Sequence, residues 1–173
     1  MSREQALQQL ASGVTGAVRA FLQGPVRSVA DFYIPFALFQ VKIVNAGSRE
    51  FQILGLDSVS GSLDLYHFPH IPDAAELISL DTRNSPQPLL DPERAREILI
   101  EKVRRVLFQR GFFRMRDLRI EAEPLPGELC VPYWVVFRGR GSTARVSVLD
   151  AVRRKSEGAK VRHLLEAWLT TPQ

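Results

Sequence analysis

The sequence has little cysteine and no long apolar run. Its single cysteine, Cys130, cannot form a disulfide within the chain, and its apolar setting, ELCVPYW, is typical of a strand position rather than of an activated thiol. No run of about 18 or more apolar residues exists, so the sequence predicts no membrane span. The N-terminal stretch MSREQALQQL contains no apolar core of the signal-peptide type. We therefore expect a protein of the reducing cytoplasm.

Motifs of known catalytic and cofactor sites are also absent. The sequence has no G-x-S-x-G elbow, Walker loop, Rossmann fingerprint or paired-cysteine metal motif. Residues 64–73, DLYHFPHIPD, contain Asp and His, which can bind a divalent ion. The same composition is expected where a strand ends and a loop begins, without any bound ion. We therefore predict no metal and no cofactor, and the sequence favours a non-catalytic role while leaving an enzyme open.

Positive charge is concentrated in the second half of the chain. Lys and Arg number 23 against 19 Asp and Glu, which gives a formal net charge of +4. Residues 1–90 carry 6 Lys/Arg against 8 Asp/Glu, whereas residues 91–173 carry 17 against 11. Such an imbalance can mark an anionic partner, but moderate positive charge also keeps ordinary proteins dispersed.

Apolar periodicity predicts one helix and three strands in the first part of the chain. In chain order these are a helix over 3–22 and strands over 29–44, 49–59 and 62–68. Gly24 and Pro25 end the helix because glycine favours the left-handed cap conformation and proline cannot continue the hydrogen-bond ladder. Asn45 and Gly47 supply a turn, so the first two strands are predicted to form a hairpin.

A proline-rich connection over residues 69–91 precedes a second helix and three more strands. Asp91 is a predicted N-cap, Pro92 suits the first helical position, and Gly111 ends the helix. The sequences PLPG and GRGS are predicted turns between the following strands. The remaining predicted elements are strands over 117–123, 128–138 and 143–152, and a closing helix over 158–169, with a strand followed by a helix as the alternative for this last segment.

The two halves of the sequence read as copies of one unit. Aligning Pro35 with Pro132 brings Asp57 onto Asp150 after a gap of four residues. Each copy is too small to bury its sheet comfortably, so the copies are expected to share a core. We therefore predict an α+β fold of two helix-plus-three-strand repeats with mainly antiparallel sheet, helices packed on one face and a C-terminal helix. The predicted segments are a first repeat over 1–68, a connection over 69–91 and a second repeat over 92–173.

Each predicted repeat combines an amphipathic helix, an apolar hairpin and an aspartate turn, seen in LDSVSGSLDLY and, more loosely, in LDAVRRKSEGAKV. This pattern resembles the PepSY-like domains of bacteria, in which a helix and two strands lead through a DAxTGxV turn into a third strand. The resemblance covers most of the chain as a tandem pair. It implies a non-catalytic binding or inhibitory role, since such domains are associated with protease propeptides and with the regulation of proteins.

Two apolar strand segments predict a contact with a protein partner or a second copy of the chain. FYIPFALF and CVPYWVVF are apolar on both faces of a strand, so each must be covered on both sides or open onto a partner. Aromatic side chains are the usual anchors of such interfaces. The predicted partner-binding residues are Phe36, Phe39, Tyr133 and Trp134.

A basic stretch over residues 102–119 predicts nucleic-acid association as the alternative function. It carries seven Lys and Arg against one acid, Asp117, and includes Phe112 and Phe113, a combination that suits phosphate contacts and base stacking. Arginines on the solvent-exposed face of a helix would produce the same sequence pattern. Glu101 and Arg105 have the spacing of a helical ion pair, which favours this interpretation. The predicted nucleic-acid-binding residues are Lys102, Arg104, Arg105, Arg110, Arg114 and Arg116.

Overall fold

The computed structural model describes residues 25–73, 75–79, 81–111, 116–139 and 145–170. Within these ranges the chain forms six strands and two helices. In chain order they are β1 (Val26–Asn45), β2 (Ser48–Asp57), β3 (Tyr66–Phe68), α1 (Pro92–Gly111), β4 (Arg119–Arg138), β5 (Arg145–Asp150), β6 (Lys155–Ser156) and α2 (Ala159–Thr170). The helix predicted over residues 3–22 lies outside the described residues.

The strands are arranged in the order β3-β2-β1-β4-β5-β6, and the pairings of β1 with β2, β2 with β3, β4 with β5 and β5 with β6 are antiparallel. Ala46 and Gly47 join β1 to β2 with φ angles of 50° and 81°. Two successive positive φ angles define a type I′ turn, which matches the twist of a hairpin. Asn45 pairs with Ser48 beside this turn, so the predicted hairpin is confirmed.

The predicted fold class of two helix-plus-three-strand repeats is wrong. The described chain is mainly antiparallel sheet, and the strands predicted over 117–123 and 128–138 are one continuous strand, β4, of 20 residues. The turn predicted at PLPG is replaced by strand, because a residue that precedes proline is restricted to extended conformations, and Pro124 and Pro126 impose this twice in succession; Gly127 takes a φ of 90° within the strand. The C-terminal helix does exist as α2.

Helix α1 begins and ends where the sequence predicts. The Asp91 side chain accepts a hydrogen bond at Oδ1 from the backbone N–H of Arg94, at 2.9 Å, and its carbonyl accepts the first helical bond from Ala95, also at 2.9 Å. Pro92 occupies the first helical position, where the missing N–H would have no intrahelical partner. Local capping chemistry therefore determines this element, and its prediction is confirmed.

By contacts, the described residues divide into two compact units. We call residues 35–83 and 87–130 the central unit, and residues 25–34, 84–86 and 131–170 the terminal unit. In the central unit, α1 packs on the sheet face that carries alternate residues of β1. The buried residues of this core are Phe39, Val41, Ile43, Leu54, Leu56, Ala95, Leu99, Val103 and Ala122.

The terminal unit has its own apolar contacts. Val136 and Leu149 are buried on β4 and β5, and Trp134 packs against them. Helix α2 buries one stripe, and the rings of Phe32 and Trp168 lie 5.0 Å apart between centroids. The buried residues of α2 are Val161, Leu164 and Leu165.

A buried aspartate ends the second strand of a hairpin in each unit. Asp57 ends β2 and Asp150 ends β5, and both are fully buried. The next backbone N–H donates to a proline carbonyl in both hairpins, from Ser58 to Pro35 at 2.9 Å and from Ala151 to Pro132 at 3.0 Å. The residues that the sequence alignment pairs therefore make the same local hydrogen bond.

Candidate interaction surface

The predicted partner-binding aromatic residues lie mostly in the protein's own core. Phe36, Phe39 and Tyr133 are each at most 3% exposed, and Trp134 is half-buried. The Phe36 ring contacts Tyr66, with 5.6 Å between centroids. Three of the four rings are therefore closed off by the chain itself rather than presented on its surface.

The predicted nucleic-acid-binding residues are in different environments. Arg104, Arg105 and Arg116 are exposed. Lys102 is half-buried, and its ammonium group donates a hydrogen bond to the carbonyl oxygen of Leu63. The side chain of Arg110 and all of Arg114 lie outside the described residues. The structure therefore leaves three arginines of this set as exposed basic groups.

Residues 69–73 and 75–79, which we call the apolar loop, contain hydrogen bonds between polar side chains and the backbone. The Asp73 Oδ1 accepts hydrogen bonds from the backbone N–H groups of Ala75 and Glu76, at 2.8 and 3.2 Å. The Glu76 carboxylate in turn accepts from the backbone N–H of Asp73, at 3.1 Å, and lies 2.8 Å from His70 Nε2. The hydrogen bond with His70, followed by that with the Asp73 backbone, lowers the pKa of Glu76. These reciprocal contacts fix the backbone at Asp73, Ala75 and Glu76.

The apolar loop directs aliphatic side chains into water. Ile78 is 89% exposed, and Ile71 and Leu77 are about half exposed. Single exposed aliphatic residues are common on proteins, but three within eight residues of a hydrogen-bonded loop are the kind of feature that marks a contact site. Sequence reasoning missed them because it treated residues 69–91 only as a connection.

Basic side chains also converge at the turn end of the β1–β2 hairpin. Lys42 Nζ lies 2.8 Å from the Glu121 carboxylate, and this hydrogen bond, with the charges of Lys42, Arg119 and Arg49, lowers the pKa of Glu121. Arg116 is fixed nearby. Its backbone N–H donates to Asn45 Oδ1 at 2.9 Å, and its carbonyl accepts from the N–H of Ala46 at 2.7 Å.

One exposed aromatic ring accompanies this basic group. Phe51 is 60% exposed and pairs across the hairpin with Lys42. Sequence reasoning named Arg116 but missed Lys42, Arg49 and Phe51, because they are separated from it by more than sixty residues in the chain. Only the strand register, which no local spacing reports, brings these residues together.

Two further classes of site can be checked within the described residues. These residues contain no group of three or more His, Cys, Asp or Glu side chains placed to hold a metal ion. No helix among them combines the length and the apolar character needed to cross a bilayer.

Comparison with protein-family models, with curated proteins and with solved structures found no match to this chain.

Proposed function

We propose that the protein is a non-catalytic interaction module of the cytoplasm, which binds a protein partner through the apolar loop. The observation that carries the proposal is the exposure of Ile78, next to Leu77, in a loop whose backbone is held by Asp73 and Glu76. The regulatory role implied by the PepSY-like resemblance agrees with this proposal and stays a prediction.

The energetics of the loop support a binding role. Burying one fully exposed isoleucine or leucine contributes roughly 1.5–3 kcal/mol, so contact with Ile78 and its neighbours can supply the centre of an interface. The hydrogen bonds of Asp73 restrict the backbone at residues 75 and 76, directly before Leu77 and Ile78, which reduces the length of loop that a partner would have to order. An aliphatic surface held in this way is suited to a protein partner more than to a charged ligand.

Replacing Ile78 with aspartate should weaken partner binding by about tenfold or more, because a charge would replace an apolar contact worth about 1.4 kcal/mol or more. The measurement is affinity capture of the tagged chain from its native lysate after nuclease treatment, followed by titration of the captured protein. The free energy of unfolding should change by no more than about 0.5 kcal/mol, because the side chain is on the surface.

Leu89→Asp is the matched control. Leu89 is 76% exposed in the same unit but outside the apolar loop, so the same substitution there should leave partner binding unchanged. Equal loss in both variants would mean that added negative charge, rather than the loop, accounts for the effect. Equal binding by Ile78→Asp and the unmodified chain would contradict the proposal.

Nucleic-acid association is a second candidate, favoured by the outer face of α1. Arg104 and Arg105 are exposed there, and Phe108, one turn beyond Arg104, is partly exposed. Arg105 lies 3.4 Å from Glu101, which offsets part of its charge. Two arginines with an aromatic ring can contact phosphates and one base.

The double variant Arg104→Glu and Arg105→Glu tests this candidate. It should weaken binding to DNA and reduce by about 2 the slope of log affinity against log salt concentration, because each lost phosphate contact lowers the slope by about 0.9. Arg94→Glu, at an exposed site in the first turns of the same helix, is the control. An unchanged salt slope in the double variant would remove the support for this face.

A further inference from the structure

The outer edge of β2 has a segment that no described strand covers. β2 has ten residues, but β3 pairs only with Ile53, Leu54 and Gly55. Ser48–Gln52 therefore has no strand neighbour on its outer side within the described part of the chain. An edge of this kind presents backbone donors and acceptors to which another strand can add.

The β1–β2 turn determines which groups face outward. In a two-residue hairpin the residues that flank the turn, Asn45 and Ser48, exchange both backbone hydrogen bonds, and the pattern then alternates along the strands. Arg49 and Phe51 occupy the alternate positions of β2. Their N–H and C=O groups point away from β1, so they supply two donors and two acceptors at the outer edge.

The side chains of the same two residues share one face of the sheet. Val41 and Ile43 belong to the core beneath α1, and side chains alternate along a strand. Lys42 and Val44, the alternate residues of β1, therefore lie on the face opposite α1. Their cross-strand partners, Phe51 and Arg49, lie on that same face. A strand added at this edge would place one side chain beside Phe51 and another, two positions away, beside Arg49.

The charges at this end of the hairpin select the added strand. Arg49 and Arg119 are exposed here, and the acid near both of them, Glu121, is already bound to Lys42. Glu50, the acid within this segment of β2, pairs with Ile43 and therefore lies on the α1 face, away from Arg49. We propose that the outer edge of β2 binds an extended peptide segment by strand addition, with an apolar residue against Phe51 and an acidic residue two positions away against Arg49. The proposal rests on the interaction function above and adds a second contact to it.

A displayed library of random seven-residue peptides, selected on the full chain, tests this directly. The selected peptides should carry an apolar and an acidic residue two positions apart, the spacing of one strand face, without proline between them. Absence of enrichment, or enrichment of residues three and four positions apart as on a helix, would overturn the proposal.

Two substitutions at Phe51 then separate the ring from the backbone, with affinity for the best selected peptide measured by fluorescence anisotropy. Phe51→Ala removes the ring and should weaken binding about tenfold, whereas Phe51→Pro also removes the outward N–H and should weaken it about tenfold more. Proline is tolerated at an edge position whose N–H faces outward, so the pairing with β1 should persist. Equal affinities of the two variants would contradict strand addition.

N-methylation of the selected peptide gives the same test without altering the protein. A methyl group on every second backbone nitrogen should abolish binding in one of the two alternating patterns and leave it unchanged in the other, because only one set of N–H groups faces β2. Equal effects of both patterns would overturn the proposal. Competition by a single-stranded oligonucleotide would do the same and assign the edge to nucleic acid.

Three controls distinguish the outcomes. Ile78→Asp should not change the affinity for the selected peptide. If this variant loses partner capture and the library yields no enriched peptide, the apolar loop is the interface and the edge proposal is overturned. Conversely, if a peptide is enriched and the Ile78→Asp variant still captures the partner as well as the unmodified chain does, only the proposed binding role of the apolar loop is overturned. Self-association that Phe51→Pro abolishes in sedimentation would make the occupant a second copy of this chain and overturn the peptide partner.

Discussion

Replacing Asp57 with alanine is expected to lower the free energy of unfolding by about 3 kcal/mol, because the N–H groups of Ser60 and Leu63 lose their acceptor at about 1–3 kcal/mol each. The Gly61 N–H, by contrast, keeps the Asp57 backbone carbonyl as an acceptor at 3.1 Å. Asp57 is fully buried at the end of β2. Its Oδ1 accepts hydrogen bonds from the Ser60 N–H at 2.8 Å, the Ser60 hydroxyl at 3.0 Å and the Gly61 N–H at 2.9 Å. Its Oδ2 accepts from the Leu63 N–H at 2.8 Å. Urea denaturation of both proteins measures the loss.

The turn that Asp57 holds also packs against α1. Gly61 has a φ of +65°, and a Cβ atom at this position would come within 3.1 Å of the Ile98 side chain. Only a close approach of the turn to the helix gives so short a distance. Loss of the Asp57 carboxylate should therefore loosen the contact between this turn and α1 as well as the turn itself.

Two matched variants separate the parts of this effect. Asp57→Asn keeps an oxygen for Ser60 and Gly61 but cannot accept from Leu63 through its NH₂ group, so it should cost about half as much. Asp150→Ala should also cost less, about 2 kcal/mol, because the Asp150 Oδ1 binds the N–H groups of Val152 and Arg153, which lie in a more exposed turn. A cost for Asp150→Ala equal to that for Asp57→Ala would contradict this account.

The elements that the sequence predicts correctly are those with local signals. Asp91, Pro92 and Gly111 mark both ends of α1 within the helix itself, and no distant residue is needed to interpret them. The β1–β2 hairpin is likewise marked by its turn at Asn45 and Gly47. Capping and turn chemistry act over a few residues, so they can be read without the fold.

The wrong predictions of secondary structure rest on residues that are compatible with more than one local conformation. Pro124 and Pro126 suggested a turn, yet β4 continues through both. Proline fits a strand where one side has no partner, and β5 pairs with β4 only over Tyr133–Arg138, beyond both prolines. A strand was predicted over residues 62–68, but β3 covers only Tyr66–Phe68, and the two-residue strand β6 was not predicted. The length of these strands depends on their neighbours in the sheet, which the sequence does not report.

The candidate surface could be predicted even less. The apolar loop contains Ile78 within a stretch whose prolines indicate only irregular structure. The hairpin site joins Arg49 and Phe51 to Arg119 through the sheet register. Apolar residues on both faces of β1 did indicate that both faces need cover, but they could not show whether the cover comes from this chain or from a partner.

Replacing Phe39 with alanine tests whether this chain or a partner covers β1. We expect the substitution to destabilise the protein by about 4 kcal/mol, as is typical when a buried phenylalanine is truncated. Phe39 is 1% exposed in the core beneath α1 and pairs with Leu54. Phe51→Ala is the matched control, since it makes the same change in the same hairpin at an exposed position and should alter stability by no more than about 0.5 kcal/mol. Urea denaturation of the two variants gives the comparison. If Phe39→Ala kept full stability and lost partner binding, the ring would be the surface anchor that the sequence predicts. A large loss of stability, with Phe51→Ala unchanged, would mean that the chain covers its own apolar strand, because only a buried ring leaves a cavity when it is removed.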